Sequence, residues 1–418
     1  MAAELAGFDR AEQRFTRLFV AVAFGFGARM AMITFDGPLA RRFTDNGYLI
    51  GLLLAVGPLV STVANPFFGH LSDRSRTRFG RRIPYAVAGV TLSSLVFFAL
   101  PLAPAAAVLL VLFALRALFA SIGGGPLMSL VPDLVAPARR GRAMALFMLA
   151  GGLGAIAIQA AGKVFWEKDF ALVYYATGLA SLLFAVPPLL FIREPRQSAG
   201  ELAAAGRRGA VSLVEIKRAI AQREPMVLFL LSASLRYLGG GMLMTYFTLF
   251  AATDLGVAVG DASLAVAVAG ILRLLLALPA GRLADAYDRK RLLLLATVAG
   301  GLVHLLTGVL VGNLWQLYLA VAAGTIAGVL EMTAGSPLFM DLLPAERRGE
   351  LIGINMVLTN IFQSGGALLG GAVFAWTAGY RALFPIAALC FVISAVVLAR
   401  LTVPAVPTPL AGARQICG

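Results

Sequence analysis

The chain has 418 residues, 60% of them hydrophobic and only 13% charged, with a mean hydropathy of +0.86, which excludes a water-soluble globular fold, where about a quarter of residues carry charge. The net charge of +14 comes from Lys and Arg scattered over short polar stretches, a pattern that argues against a nucleic-acid-binding face. Two cysteines, Cys390 in an apolar run and Cys417 next to the end, exclude a disulfide framework and a cysteine metal cluster.

Glu4, Asp9 and Glu12 precede the first apolar run, so it reads as a membrane span and not as a cleavable signal with a basic start. A span needs about 20 apolar residues to cross about 30 Å of hydrocarbon. Apolar runs between charge or Pro/Gly breaks predict helices over 16–37, 47–68, 84–103, 106–131, 143–165 and 171–192, then 226–250, 260–281, 292–312, 314–338, 351–375 and 381–401. The expected fold is an all-α membrane protein with 12 transmembrane helices in two six-helix bundles, 1–192 and 226–418, joined by a polar linker over 193–225. Val211 to Arg223 within that linker has the spacing of a short amphipathic surface helix, with an unstructured linker as the alternative.

Of the 35 Lys and Arg, Arg41, Arg42, Lys163, Lys168 and Arg381 fall on one side of this layout. Arg29, Arg116, Arg236 and Arg273 fall inside spans, and all the others lie on the opposite side. The positive-inside rule therefore places both termini in the cytoplasm, as in a multi-pass protein of a bacterial inner membrane.

Two motifs recur. Gly69-His-Leu-Ser-Asp73-Arg74, closing in Arg81-Arg82, returns as Gly281-Arg-Leu-Ala-Asp285, closing in Arg289-Lys290-Arg291. Asp133-Leu134 before Arg139-Arg140-Gly141 returns as Asp341-Leu342 before Arg347-Arg348-Gly349. Nearly equal offsets for two different motifs indicate a duplicated six-helix unit, and parallel repeats of this kind place a cavity at the midplane between them.

The G-x-L-x-D-R signature after span 2, its copy after span 8 and the doubled six-span layout resemble the major facilitator superfamily over almost the whole chain. The longer stretch Ser72-Asp73-Arg74 to Arg81-Arg82-Ile-Pro84 is similar to the sucrose and glycoside-pentoside-hexuronide symporter branches. The resemblance implies that this loop stabilises the state closed to the cytoplasm, a role that falls here to Gly69, Asp73, Arg74, Arg81 and Arg82, and in the second copy to Asp285 and Arg289. The plainer reading is that these charges only set topology. Sodium-coupled glycoside symporters carry an Asp-Pro pair in span 2, with a second Asp one turn earlier, whereas this chain has Asn65-Pro66 and Ser61. A hard cation would find only neutral oxygens there, so a proton is the expected coupling ion.

Five charges lie inside predicted spans: Arg29 (span 1), Arg116 (span 4), Arg236 (span 7), Arg273 (span 8) and Glu331 (span 10). At the bilayer centre each costs about 2.5 kcal/mol or more, so the default is that it faces the bundle interior or an aqueous cavity. The near-repeat spacing of Arg29 and Arg236 predicts that they face one another across the pseudo-twofold axis and grip one anion, as guanidinium suits carboxylate or phosphate. Organic-phosphate antiporters of the superfamily resemble this arrangement, and Arg273, if it faces inward, resembles the span-8 arginine of monocarboxylate transporters. The structural alternative pairs Arg116 or Arg236 with Glu331, or Arg29 with Asp36, to hold helices together. Glu331 is the first candidate for proton coupling and Asp36 the second, although Asp36 beside Gly37-Pro38 also fits an extracellular-end cap. Asn360 and Gln363, one turn apart on span 11, are candidate substrate contacts. His304 and the aromatic Tyr237, Tyr246 and Phe247 are better explained by packing.

No G-x-x-x-x-G-K-[ST] loop occurs, which argues against a built-in ATP motor, and no enzyme activity, cofactor or metal is expected. The reading is a secondary transporter, monomeric in the bilayer, that moves a small anionic metabolite (organic acid, sugar acid or organic phosphate) by alternating access, proton-coupled or by exchange. A neutral glycoside–proton symporter and a non-transporting membrane assembly factor are the alternatives.

Overall fold

The computed structural model describes residues 2–75, 77, 79–192, 194, 224–343 and 348–402. Most of the predicted linker, its amphipathic stretch and Cys417 lie outside these. The first half contains α1 (Ala2–Met30), α2 (Ile33–Arg41), α3 (Gly47–Arg74), α4 (Ile83–Ala99), α5 (Ala106–Leu134), α6 (Arg140–Phe165) and α7 (Phe170–Phe191). The second contains α8 (Glu224–Thr253), α9 (Val259–Ala286), α10 (Arg289–Leu310), α11 (Leu314–Leu342), α12 (Arg348–Thr377) and α13 (Leu383–Ala399). No strand occurs among the described residues. Eleven helical stretches are long and apolar enough to cross a bilayer, and α13, at 17 residues, supplies the twelfth.

Among the described residues, thirteen α-helices make twelve spans because the first span, predicted as one helix, is broken where α1 stops and α2 begins. Tight turns run Met32 N to Arg29 O and Thr34 N to Ala31 O, both 3.2 Å. Irregular backbone at membrane depth needs its polar groups satisfied by neighbouring helices. Gln159 on α6 donates to Ala31 O at 3.1 Å, and Thr248 on α8 donates to Thr34 O at 2.7 Å.

The repeat predicted from the motifs is visible as a pair of equivalent ion pairs on the arginine-rich face. Arg81 meets Asp133 at 2.8 Å and Arg289 meets Asp341 at 2.6 Å. The halves abut along two seams, α3 against α12 and α6 against α9. Glycine makes the first possible, since a side chain at Gly47 would run into the Gly371 carbonyl and one at Gly51 into the Ala367 carbonyl.

Apolar packing shows how far the seams extend. One core unites both halves, joining Phe35, Leu39 and Ile50 to Leu249, Phe250 and Tyr380. The other two are confined to single halves, one around Phe15, Phe19, Ile83 and Leu130, the other around Phe229, Leu293, Leu338 and Leu398. The shared core lies toward the face of Arg41, Lys163 and Arg381, whereas the separate cores lie toward the arginine-rich face. Polar contacts follow the same division: Lys163 to Asp261 (2.5 Å), Trp376 to the Tyr48 hydroxyl (2.8 Å) and Arg41 to the Tyr380 hydroxyl (3.4 Å) all cross between halves at the sparsely charged face. Burial pushes that Tyr380 hydroxyl up to about 12, so it stays protonated at neutral pH. At the arginine-rich face no hydrogen bond or ion pair joins the halves among the described residues, and Gly69, Gly281 and Gly353 have open space where a side chain would project. Among the described residues, the contacts between the halves gather toward the sparsely charged face.

Candidate functional site

A cavity of about 380 Å³ lies against the first half. Arg29, Ile33 and Asp36 border it on either side of the break between α1 and α2, with Leu53, Pro58 and Ser61 from α3, Ser93 and Phe97 from α4, and Phe113 and Arg116 from α5. The second half contributes Met244 and Thr245 from α8 and Gln363 and Ala367 from α12.

Three charges reach this cavity, and two of them cancel. Asp36 and Arg116, 80 residues apart in sequence, form a two-pronged pair, Nη1 to Oδ1 at 2.7 Å and Nη2 to Oδ2 at 2.5 Å. Parallel bonds of this kind are the strong form of Arg–carboxylate contact. The Arg116 guanidinium also lies 4.8 Å from the Phe113 ring centre and 5.6 Å from that of Phe97. Arg29, in the last turn of α1 beside the break, has no carboxylate partner among the described residues. Its Nη1 donates to Ser93 Oγ at 2.9 Å, its guanidinium sits 5.6 Å from the Phe26 ring centre, and its Nε is buried with no acceptor among the described residues.

The expectation that Arg29 and Arg236 face one another must be corrected. Arg236 is buried on α8 and donates from Nε to Glu331 Oε1 on α11 at 2.6 Å, and from Nη1 to the hydroxyls of Ser232 (2.6 Å) and Ser394 on α13 (3.0 Å). Neither Arg236 nor Glu331 borders the cavity. The near-equal spacing of the arginines misled because the second half places its acid on a different span, which draws the guanidinium into helix packing. The alternative pairing of Arg236 with Glu331 is the one formed, whereas that of Arg29 with Asp36 is not, since Arg116 holds Asp36.

Arg273 is exposed on α9 and does not border the cavity, being one residue from Leu274, which packs against Gly152 across the seam. Of the α12 amides, Gln363 borders the cavity and Asn360 does not. His304 packs edge-on against Phe391, and Tyr246 is buried, stacked on Tyr380 and donating to Ala367 O at 2.7 Å. In the motif loop, Arg82 reaches Asp73 at 3.4 Å but Asp133 at 2.7 Å, and Arg81 also goes to Asp133. Arg74 and Asp285 are exposed with no partner among the described residues, so the expected grouping of Arg74 and Asp285 with these charges is not present in this structure. Arg289 pairs with Asp341.

Sequence reading passed over Ser93, whose signal was the Ser93-Ser94 pair in an apolar span. It also passed over Glu194, which accepts from the backbone amides of Arg81, Arg82 and Ile83 at 2.6–2.8 Å and so caps α4.

The family model described as Major Facilitator Superfamily matches residues 17–235 and again 229–416. Among curated proteins, the chain is similar to the vacuolar membrane amino acid uptake transporter fnx2 of Schizosaccharomyces pombe, 33% identical over 118 residues, 27% of this chain and 20% of the relative. It is also similar to the uncharacterized MFS-type transporter YfiS of Bacillus subtilis, 29% identical over 118 residues, 28% of either chain. The chain thus spans less than a third of the length of these relatives. Among solved structures, a bacterial homologue of the human lysosomal transporter Spinster, inward-facing and occupied, matches with a TM-score of 0.72 at 15% identity, covering 94% of this chain and 96% of the other. The nucleoside transporter NupG matches with a TM-score of 0.76 at 14% identity, covering 94% and 99%. At such identities the structural matches speak for the fold. The glycoside and sucrose branches are not among these relatives.

Proposed function

The chain belongs to the Major Facilitator Superfamily and is a secondary transporter; from that premise we propose that it carries a small organic anion, bound at Arg29 and coupled to protons through Asp36 and Arg116. The observation that carries the reading is Arg29: it borders the cavity and is the charge there without an opposite charge. A substrate carboxylate supplies one.

Asp36 takes the coupling role ahead of Glu331 because it borders the cavity while Glu331 does not. With Asp36 ionised, Arg116 is fully engaged. Protonation of Asp36 weakens that pair and frees Arg116 toward the substrate, so proton and anion favour each other's binding. The arginine-rich face is the cytoplasmic one by the positive-inside rule, which makes this the inward-open state, with cross-half contacts such as Lys163–Asp261 forming the closed outer end.

The test is uptake into proteoliposomes over a panel of carboxylates, organic phosphates, sugar acids and neutral glycosides, with and without an inward proton gradient. The wild type is expected to accumulate an anion when the gradient is present, Arg29→Ala to lose uptake, and Asp36→Asn to retain exchange while losing gradient-driven accumulation. Uptake of a neutral glycoside that survives Arg29→Ala overturns the anion reading.

A further inference from the structure

We propose that the cavity selects a monovalent organic anion with an aromatic or branched apolar body, and rejects both dianions and polyhydroxylated acids. This deepens the anion reading above and rests on it.

The charge balance sets the valence. With Asp36 ionised, Arg116 is neutralised through two bonds, which leaves the single positive charge of Arg29 for the substrate as it first binds, ahead of the proton. A second negative charge would find no free cation and would lie in the same cavity as the Asp36 carboxylate.

The lining sets the body. Phe26, Met30, Ile33, Leu53, Phe97 and Phe113 form most of the wall around the two arginines. Polar side chains other than the three charges are Ser61, Ser93, Thr245 and Gln363, and two of these are already engaged. Ser93 Oγ accepts from Arg29 and donates to Val90 O at 3.1 Å, while Ser61 accepts from Ser121 at 3.4 Å. A sugar acid would strip its hydroxyls of water with few partners to replace it, at a cost on the order of tenfold in affinity for each hydroxyl left unmet. An aryl or branched alkyl group instead gains by displacing water from these walls. Ring faces behind both guanidinium groups, Phe26 at Arg29 and Phe113 at Arg116, hold the cations in apolar surroundings that suit a carboxylate joined to a ring.

The experiment is calorimetric binding to the purified full-length protein in lipid nanodiscs, using benzoate, benzyl alcohol, phthalate as its dianion, glucuronate and 2-methylbutyrate as probes. The wild type is expected to bind benzoate or 2-methylbutyrate about tenfold or more tightly than phthalate, glucuronate and benzyl alcohol. Arg29→Gln is expected to remove the preference for benzoate over benzyl alcohol, and Arg29→Lys, which keeps the charge, to retain part of it. Asp36→Asn frees Arg116 and is expected to raise phthalate affinity relative to benzoate by about tenfold, a gain that a merely misfolded variant would not show.

Phthalate or glucuronate binding as tightly as benzoate, with Arg29→Gln still removing all three, overturns this inference and leaves the anion reading intact. Benzyl alcohol binding as tightly as benzoate, with no response to Arg29→Gln, overturns the anion reading itself. A wild type that binds neither benzoate nor 2-methylbutyrate while taking up another anion overturns the inference alone.

Discussion

The two halves descend from one repeat, yet they place their intramembrane charges in opposite order. In the first half the acid is on span 1 and the base on span 4, as Asp36 and Arg116, and the pair borders a cavity together with the unpaired Arg29. In the second the base is on span 7 and the acid on span 10, as Arg236 and Glu331, closed off by Ser232 and Ser394. Both pairs meet the demand that a charge in the membrane find a partner. Only the first adds an unpaired cation at the cavity, so all the charges that border it lie in one half.

The largest expected effect is on stability in the second half. Glu331→Ala leaves Arg236 charged and buried without its acid, which should cost about 3–5 kcal/mol, read as a lowered unfolding temperature in detergent. Replacing Arg236 and Glu331 together by Met should recover most of that loss and preserve uptake, because a buried pair is replaceable by apolar packing. A Glu331→Ala protein that stays stable but loses proton-driven uptake would break the comparison and move coupling into the second half.

Asp36→Asn should cost less, about 1–2 kcal/mol, since the Arg116 it releases borders an opening that water can enter. Its main effect should be on the pH dependence of uptake, with the wild type stimulated by external acid and the variant indifferent. The same contrast recurs on the arginine-rich face. Asp133 takes both Arg81 and the buried Arg82, whereas Asp341 takes Arg289 alone, with both side chains about one-third exposed. Removing Asp133 should therefore cost about 1–2 kcal/mol, as for a hydrogen-bonded charge with a buried partner, and removing Asp341 within about 1 kcal/mol, as for a surface pair. Parallel thermal denaturation of Asp133→Ala and Asp341→Ala checks the ranking.

Much of this was legible in the sequence. Hydropathy gave the spans, because burying about 20 apolar residues per crossing leaves little freedom, and the twin motifs gave the equivalence of the Arg81–Asp133 and Arg289–Asp341 pairs. They also named every charge that now lies in the two intramembrane pairs. What they could not supply was partnership. Asp36 beside Gly37-Pro38 resembles an end cap until the break after Met30 turns it inward to Arg116. That break has no proline or glycine at Ala31 or Met32; it is held by Gln159 and Thr248 from distant helices, and hydropathy carries no record of such long-range bonds. Arg236 was assigned to the cavity by symmetry, and symmetry between repeats constrains backbones more than side chains.

The seam between the halves offers the smallest effect on stability and the sharpest view of how they move. Lys163 and Asp261 are 45% and 25% exposed, so their pair contributes about 0–1 kcal/mol to folding. It forms across the sparsely charged end, where the halves must part if the two ends open in turn. A contribution of that size, lost only from the arrangement described here, shifts the balance between states by up to about fivefold. Lys163→Ala should thus leave the unfolding temperature nearly unchanged while lengthening the distance between spin labels at Lys168 and Ala258, one on each half. Arg41→Ala, which releases Tyr380 and the Phe374 ring, should add to the shift, as the two contacts lie on different seams. An unchanged distance distribution in the double variant would mean that glycine packing of α3 on α12, and not polar contacts, holds the halves together at this end.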